Sequence, residues 1–302
     1  MSAKSNTCPV CGAEDSDPII TLRGYTYWRC QVCEAAYLSP MPDIDVIKQL
    51  YQSESYFSGD GTVGYHDYVT MHQALHPLFR RRLSTLSRLF PNKGRLLDFG
   101  CADGYFLEMA RQQGWEIAGV EVSVTQAARA ASQLSIPVFS SIEHFPEASF
   151  DVITLWEVLE HLPQPVAELR KLKSRLRPGG AIMLSTPNAG FWKAIHTPGE
   201  WSNFSPPAHL ILFTERALGI VLSDAELVPL DIRHAVPLPP LPHFIQRLCT
   251  PLERAISEGS APMWPLSLSL WRAIRLFGWA WQKASFPDYN IFMSLEAIAR
   301  TA

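Results

Sequence analysis

The stretch Leu96-Leu97-Asp98-Phe99-Gly100-Cys101-Ala102-Asp103-Gly104 decides the fold. It reads as an apolar strand that runs into a tight turn of small residues and then a helix. Small residues fall at 100, 102 and 104, with an acid two positions before the first. Glycine lets the backbone take positive φ and lets a ligand approach the main chain closely. A dinucleotide-binding turn spaces its glycines as G-x-G-x-x-G and sets a pyrophosphate at the helix start. Here the spacing is every second residue, and Asp98 and Asp103 sit in the turn. Two carboxylates repel a pyrophosphate and attract a cation.

Three further blocks follow in order. Trp115-Glu116-Ile117-Ala118-Gly119-Val120-Glu121-Val122-Ser123 reads as a second strand ending in an acid. Glu121 lies 17 residues after Gly104, near the offset at which an acid bonds ribose hydroxyls in nucleotide folds. The two oxygens of a carboxylate suit two adjacent hydroxyls. Residues 149–162 give an apolar strand and an acid-rich turn that holds Trp156, Glu157 and His161. Leu176-Arg177-Pro178-Gly179-Gly180 closes a helix and feeds a strand over 181–188.

In this order and spacing the four blocks resemble class I S-adenosylmethionine (SAM)-dependent methyltransferases, over residues 90–236 plus a final strand. SAM carries a sulfonium and an ammonium and has no phosphate, in keeping with the acids of the turn. The resemblance implies an α/β fold with a Rossmann-like seven-stranded sheet. It also implies SAM contacts from Asp98, Gly100, Ala102, Gly104, Glu121, Val122, Ser141, Ile142, Trp156 and Glu157. Two positions depart from the family pattern. Ala102 stands where the middle glycine is usual, and it fits if its φ is negative. Ser141 stands where many relatives carry an acid for the adenine amino group. Its hydroxyl can accept that bond more weakly, with Ile142 and the backbone supporting the base.

The chain has 302 residues, 47% of them hydrophobic, which suits a globular protein with a sizeable core. A net charge of −3 argues against a nucleic-acid enzyme, which usually shows a basic face. Residues 1–7 are polar and no apolar run follows, so no signal peptide is expected and the expected location is cytoplasmic.

Cys8-Pro9-Val10-Cys11 and Cys30-Gln31-Val32-Cys33 form two C-x2-C pairs separated by 18 residues, a zinc-site spacing. Two residues between thiolates let one turn present both sulfurs to a tetrahedral ion at about 2.3 Å. Gly12 permits the tight knuckle. The competing readings are two disulfides, disfavoured in a reducing cytoplasm, or four unrelated core cysteines. Four thiolates leave no open position, so the expected zinc is structural. So small a ribbon buries little core, and the metal is expected to supply its folding energy. Cys101 and Cys249 read as packing residues. A ribbon-like start ahead of this core also resembles a broad group of bacterial methyltransferases that act on sugars, polysaccharide precursors, quinones and other metabolites.

The expected division begins with a zinc-ribbon-like module of four cysteines over 1–42 and a helical linker or lid over 43–92. The SAM-binding core over 93–236, a helical insertion over 237–286 and a final core strand over 287–302 follow. Residues 43–52 read as a short helix with Asp43 at its N-cap, and 65–90 as a longer one. Arg80, Arg81, Arg82 and Arg88 fall around the longer helix. They read as a solvated face, or as part of a lid that places Tyr56, Phe57, Tyr65 and His66 near the methyl donor.

Open α/β sheets bind ligands beyond the C-terminal ends of their strands. That topology puts Glu157, His161 and Asn188 near the reacting methyl. Phe191, Trp192 and Trp201 follow in a long loop. His161 and His209 are the candidate bases for a hydroxyl acceptor, because histidine titrates near neutral pH. The competing readings are a helix-end or supporting role for His161 and a loop-anchoring hydrogen bond for His209.

Residues 227–233 and 288–299 read as the sixth and seventh strands. The long segment between them contains an apolar helix over 266–283, flanked or occupied by Trp264, Trp271, Trp279 and Trp281. Its two central arginines oppose a membrane span. A cap on the core, a homodimer interface and peripheral membrane contact through 264–283 all remain open. The expected function is methylation of a small-molecule acceptor, a sugar, polysaccharide precursor, quinone or lipid-linked metabolite, with oxygen slightly favoured. A non-catalytic protein with the same pocket and a nucleic-acid methyltransferase are the alternatives.

Overall fold

A computed structural model describes residues 7–53, 68–257 and 260–301. The cysteine segment forms β1 (Ser16–Leu22), β2 (Tyr25–Cys30) and β3 (Ala36–Leu38), followed by α1 (Ile44–Gln52) and α2 (Tyr68–Leu89). Strands and helices then alternate: β4 (Arg95–Phe99), α3 (Tyr105–Gln112), β5 (Glu116–Val120), α4 (Val124–Leu134), β6 (Val138–Phe139), β7 (Phe150–Trp156), α5 (Pro165–Arg175) and β8 (Leu176–Pro187). Such alternation returns each strand parallel to the last. After α6 (Trp192–His196) come β9 (Ile211–Leu212), α7 (Glu215–Asp224), β10 (Leu227–Pro237), α8 (His243–Ser257), α9 (Trp264–Ser285) and β11 (Phe292–Thr301).

Seven strands form one sheet in the order β10-β11-β8-β7-β4-β5-β6, and only β11 runs antiparallel to its neighbours. The expected seven-stranded architecture is therefore present. Successive strand residues point to opposite faces. Leu97, Ile153 and Ile182 join the core under α5 and α7, while Leu96, Val152 and Met183 join the core under α2 and α3. The chain runs outward through β4, β5 and β6 and returns to β7 beside β4. That reversal opens a crevice at the strand C-terminal ends, the usual ligand position.

Four expectations are corrected here. The cysteine segment does not fold on its own metal alone. β3 pairs with β9, and Cys8, Cys30, Cys33, Tyr27 and Tyr37 share one core with Phe213 and Leu222. Arg82 is not part of a solvated face. It is 2% exposed, and its guanidinium lies 3.0 Å from Glu296 and over the Trp156 ring. Asp43 occupies an N-cap position but its side chain makes no capping bond. The last strand runs Phe292–Thr301, shifted toward the C-terminus, because its register follows pairing with β8 and β10. The proposed lid residues Tyr56, Phe57, Tyr65 and His66 lie outside the described residues.

Candidate active site

The crevice holds a cavity of about 340 Å³. One wall is the turn after β4, with Phe99, Gly100 and Ala102; Glu121 and Val122 after β5 continue it. The other wall is Trp156, Glu157, Val158 and His161 after β7, and Ile47, Tyr51 and Gln52 of α1 cover it.

The turn is built as its composition demands, with one exception. Gly100, Ala102 and Gly104 have φ of +83°, +48° and +87°. Ala102 therefore sits in the left-handed region, not at the expected negative φ, and carries strain on the order of 1 kcal/mol. The surroundings hold it there: its N–H donates to Glu121 Oε2 at 2.8 Å. Glu121 Oε1 accepts from the Ser123 N–H, also at 2.8 Å. One buried carboxylate thus ties the two loops together and keeps a lone pair on each oxygen for a ligand. Burial pushes its pKa up, against those backbone bonds. Gly104 serves packing, since a Cβ there would lie 2.7 Å from Leu134.

Several candidates lie off the cavity wall. Asp98 is buried behind the turn, and its Oδ1 accepts from Thr154 Oγ1 at 2.6 Å. Burial pushes its carboxyl up to about 7. The Ser141 hydroxyl accepts from the Glu143 N–H at the start of a short helical turn, and Ile142 is buried in the core; neither borders the cavity. Asn188 bonds the Phe292 carbonyl and the Gly190 N–H and borders a separate open cleft of about 610 Å³. Phe191 and Trp201 are core residues.

The two histidines meet: their rings pack edge to face at 4.8 Å. His161 borders the cavity and His209 stands behind it. His161 Nδ1 lies 2.8 Å from the Ala208 carbonyl oxygen and His209 Nδ1 2.7 Å from that of Asn203. A carbonyl only accepts, so His209 carries its proton on Nδ1, while His161 Nδ1 stands between the Ala208 carbonyl and the Tyr51 hydroxyl. Burial pushes the imidazoles down to about 3 and about 4, so both are neutral at physiological pH. Glu157, half-buried with φ +55°, has its pKa raised by burial against the pull of Arg82.

Sequence reasoning did not single out two side chains that brace the site's loops. Tyr51 on α1 places its Oη 2.7 Å from His161 Nδ1, and neighbouring Gln52 donates to the Val122 carbonyl at 2.8 Å. His72 on α2 pairs with Asp103 at 2.8 Å and stacks on Tyr105. Both bring side chains in from helices far away in sequence. The only local clue to Tyr51 is its place on the amphipathic helix 44–52.

In the cysteine segment Cys8 and Cys33 sulfurs lie 3.6 Å apart and Cys11 and Cys30 sulfurs 3.5 Å apart, all four within 4.8 Å of one another. A tetrahedral ion with sulfurs at about 2.3 Å sets them about 3.8 Å apart, so the four thiols fit such an ion. The two knuckles match: Gly12 and Glu34 both take positive φ, and their N–H groups donate to Cys8 and Cys30 carbonyls.

A methyltransferase-domain family model matches residues 71–231. The chain belongs to that family. It is a class I SAM-dependent methyltransferase. The methyltransferase is 36% identical to the ubiquinone biosynthesis O-methyltransferase of Xanthomonas axonopodis pv. citri, over 38% of this chain and 52% of that one. It is 29% identical to the Idiomarina loihiensis protein of the same name, over 41% and 60%. The matches thus span about half the length of these curated relatives. In structure it resembles a SAM-dependent methyltransferase from Archaeoglobus fulgidus (TM-score 0.50, 17% identity, 82% of this chain and 97% of that one). It also resembles phosphoethanolamine N-methyltransferase 2 of Haemonchus contortus (TM-score 0.56, 15% identity, 88% and 62%). At these identities the structural likeness concerns the fold. The cavity suits the cofactor on its own terms: among the described residues its lining has two carboxylates and neither lysine nor arginine, a match for a sulfonium and a mismatch for a phosphate.

Proposed function

We propose that this methyltransferase methylates a hydroxyl of a small molecule bound on the Tyr51–His161 side of the cavity. The observation that carries this reading is the two-sided wall: an acid-anchored turn faces a neutral histidine under a helical cover. The relatives' names, which specify O-methylation in ubiquinone biosynthesis, support an oxygen acceptor.

SAM would supply an electrophilic methyl whose C–S bond breaks as the new bond to oxygen forms, the electron pair staying on sulfur and the acceptor's hydroxyl proton leaving to water. The protein's part is to hold donor and acceptor in line, which can be worth several orders of magnitude. Glu121 accepts from ribose hydroxyls, while Trp156 and Phe99 give apolar walls. α1 excludes water through Tyr51 and Gln52. His161 supplies the imidazole on the acceptor side, and His209 positions it from behind.

Calorimetry with SAM tests the reading. Wild type binds in the micromolar range. Glu121→Ala, which removes a charged acceptor, weakens binding by about a hundredfold, or ~3 kcal/mol. Equal binding by the variant, or none by wild type, rejects this cavity as the SAM site.

Two further roles belong to this proposal. The four cysteines hold a structural zinc, supported by sulfur separations near those of a tetrahedral site. Residues 264–283 contact an anionic membrane surface. Leu266, Leu270, Leu276, Phe277, Trp279 and Trp281 are exposed on α9, which carries Arg272, Arg275 and Lys283 and no acid. Among the described residues no helix is long and apolar enough to cross a membrane. The protein is expected to float with phosphatidylglycerol vesicles and to stay behind with phosphatidylcholine ones. Absence from both lipid fractions removes the membrane role.

A further inference from the structure

Behind the acceptor side of the cavity, three ligand-type side chains converge. Glu160, His161 and His209 each bring one ligand atom within 4.8 Å of the others. Glu160 is fully buried. Its Oε2 accepts from Thr186 Oγ1 at 2.9 Å, while Oε1 has no hydrogen-bond partner. His161 Nε2 lies 3.8 Å from that orphan oxygen. His209 gives its Nδ1 proton to the Asn203 carbonyl, which leaves its Nε2 with a lone pair, and the neutral His161 ring offers one nitrogen lone pair as well. A buried carboxyl oxygen facing imidazole nitrogens is unfavourable unless a proton or a metal cation lies between them.

We propose that Glu160, His161 and His209 form a binding site for a divalent transition-metal ion, separate from the cysteine cluster. Two imidazoles and one carboxylate are a donor set suited to zinc or ferrous iron. A carbonyl oxygen beside each Nδ1 is the kind of supporting contact that metal-bound histidines typically make. Ligands of one ion at about 2.1 Å lie roughly 3–4 Å apart; His161 Nε2 and Glu160 Oε1 stand 3.8 Å apart, and all three ligand atoms lie within 4.8 Å of one another. The protein fixes the three from different directions. Glu160 and His161 leave β7 in one short turn, and the Leu210 N–H donates to the Glu160 carbonyl at 2.8 Å, drawing the His209 segment against them. Tyr27 Oη then donates to the His209 carbonyl at 2.6 Å.

Three protein ligands leave a coordination position open, as in catalytic sites. His161 borders the cavity, so an ion held by it would lie next to the acceptor side. A cation there lowers the pKa of an acceptor hydroxyl, a charge that a neutral imidazole does not bring. This role rests on the methyl-transfer reading above; the existence of the site does not.

The test counts metal. Full-length protein is saturated with Zn²⁺ and desalted, and zinc per chain is measured for wild type, Glu160→Gln and His209→Ala. About two ions are expected in wild type and about one in each variant, with the thiolate-to-cobalt absorption of the Co²⁺-substituted cysteine site unchanged. One ion in wild type with that thiolate signal intact overturns the proposal whether or not the variants fold. Two ions in folded variants overturn it as well. SAM calorimetry on the same samples separates the two readings, because lost SAM binding with two ions retained rejects the cofactor site and leaves the metal site standing.

Discussion

Asp98 carries the sharpest consequence at the residue scale. Its carboxyl is raised by burial to about 7 in the folded chain from an ordinary 3.8. Between those values the folded state keeps a proton that the unfolded state has released, so stability falls as pH rises through that window. Asp98→Asn keeps an acceptor for Thr154 and removes the titration. Urea unfolding of both proteins from pH 5 to 8 is expected to show the variant gaining a few kcal/mol relative to wild type as pH rises. Parallel curves would count against a protonated Asp98. Ala102 shows the same point from the side of strain: a bond from its N–H to Glu121 holds an alanine where glycine is the easier residue.

At the scale of the element, α1 is the piece that turns a crevice into a cavity. It is amphipathic, it packs Ile47 into the core, and it ends in Tyr51 and Gln52, which reach across to His161 and Val122. Tyr51→Phe removes one polar tie at a cost of about 1 kcal/mol. The measurable result is SAM release several-fold faster in stopped-flow, with faster amide exchange over 44–52. Unchanged release means that α1 does not gate the cofactor. The neighbouring helix α2 shows how context overrides pattern. Arg81 and Arg82 both reach Glu296 on β11, which Arg233 also pairs. Desolvation raises the Glu296 pKa, but Arg82 and its companions outweigh it and the net shift is downward.

For the whole molecule, the cysteine segment and the methyltransferase core are one packed body. β3 and β9 share a sheet, and the Thr214 hydroxyl, which also caps α7, donates to the Cys33 carbonyl. Stripping metal with a strong chelator therefore lowers one cooperative unfolding transition by about 5–10 °C, since ~2 °C corresponds to 1 kcal/mol in a chain of this size. Two calorimetric transitions, the larger unshifted, would show the segment to be energetically separate.

The alternation of strands and helices, the turn after β4, the acid at 121 and the paired cysteines were legible because each is local: periodicity, a small-residue run, a two-residue spacing. Such signals arise from backbone geometry within a few residues and survive without knowledge of the rest. The destinations of Arg82, Ser141 and Asn188, the cover supplied by Tyr51, and the meeting of Glu160, His161 and His209 were not. Each depends on which distant segment packs alongside, and side-chain partners far apart in the chain leave no periodic trace. Sequence alone determined the family and the sheet. Only packing decided which polar groups face the cavity, because burial and pairing are properties of the assembled interior.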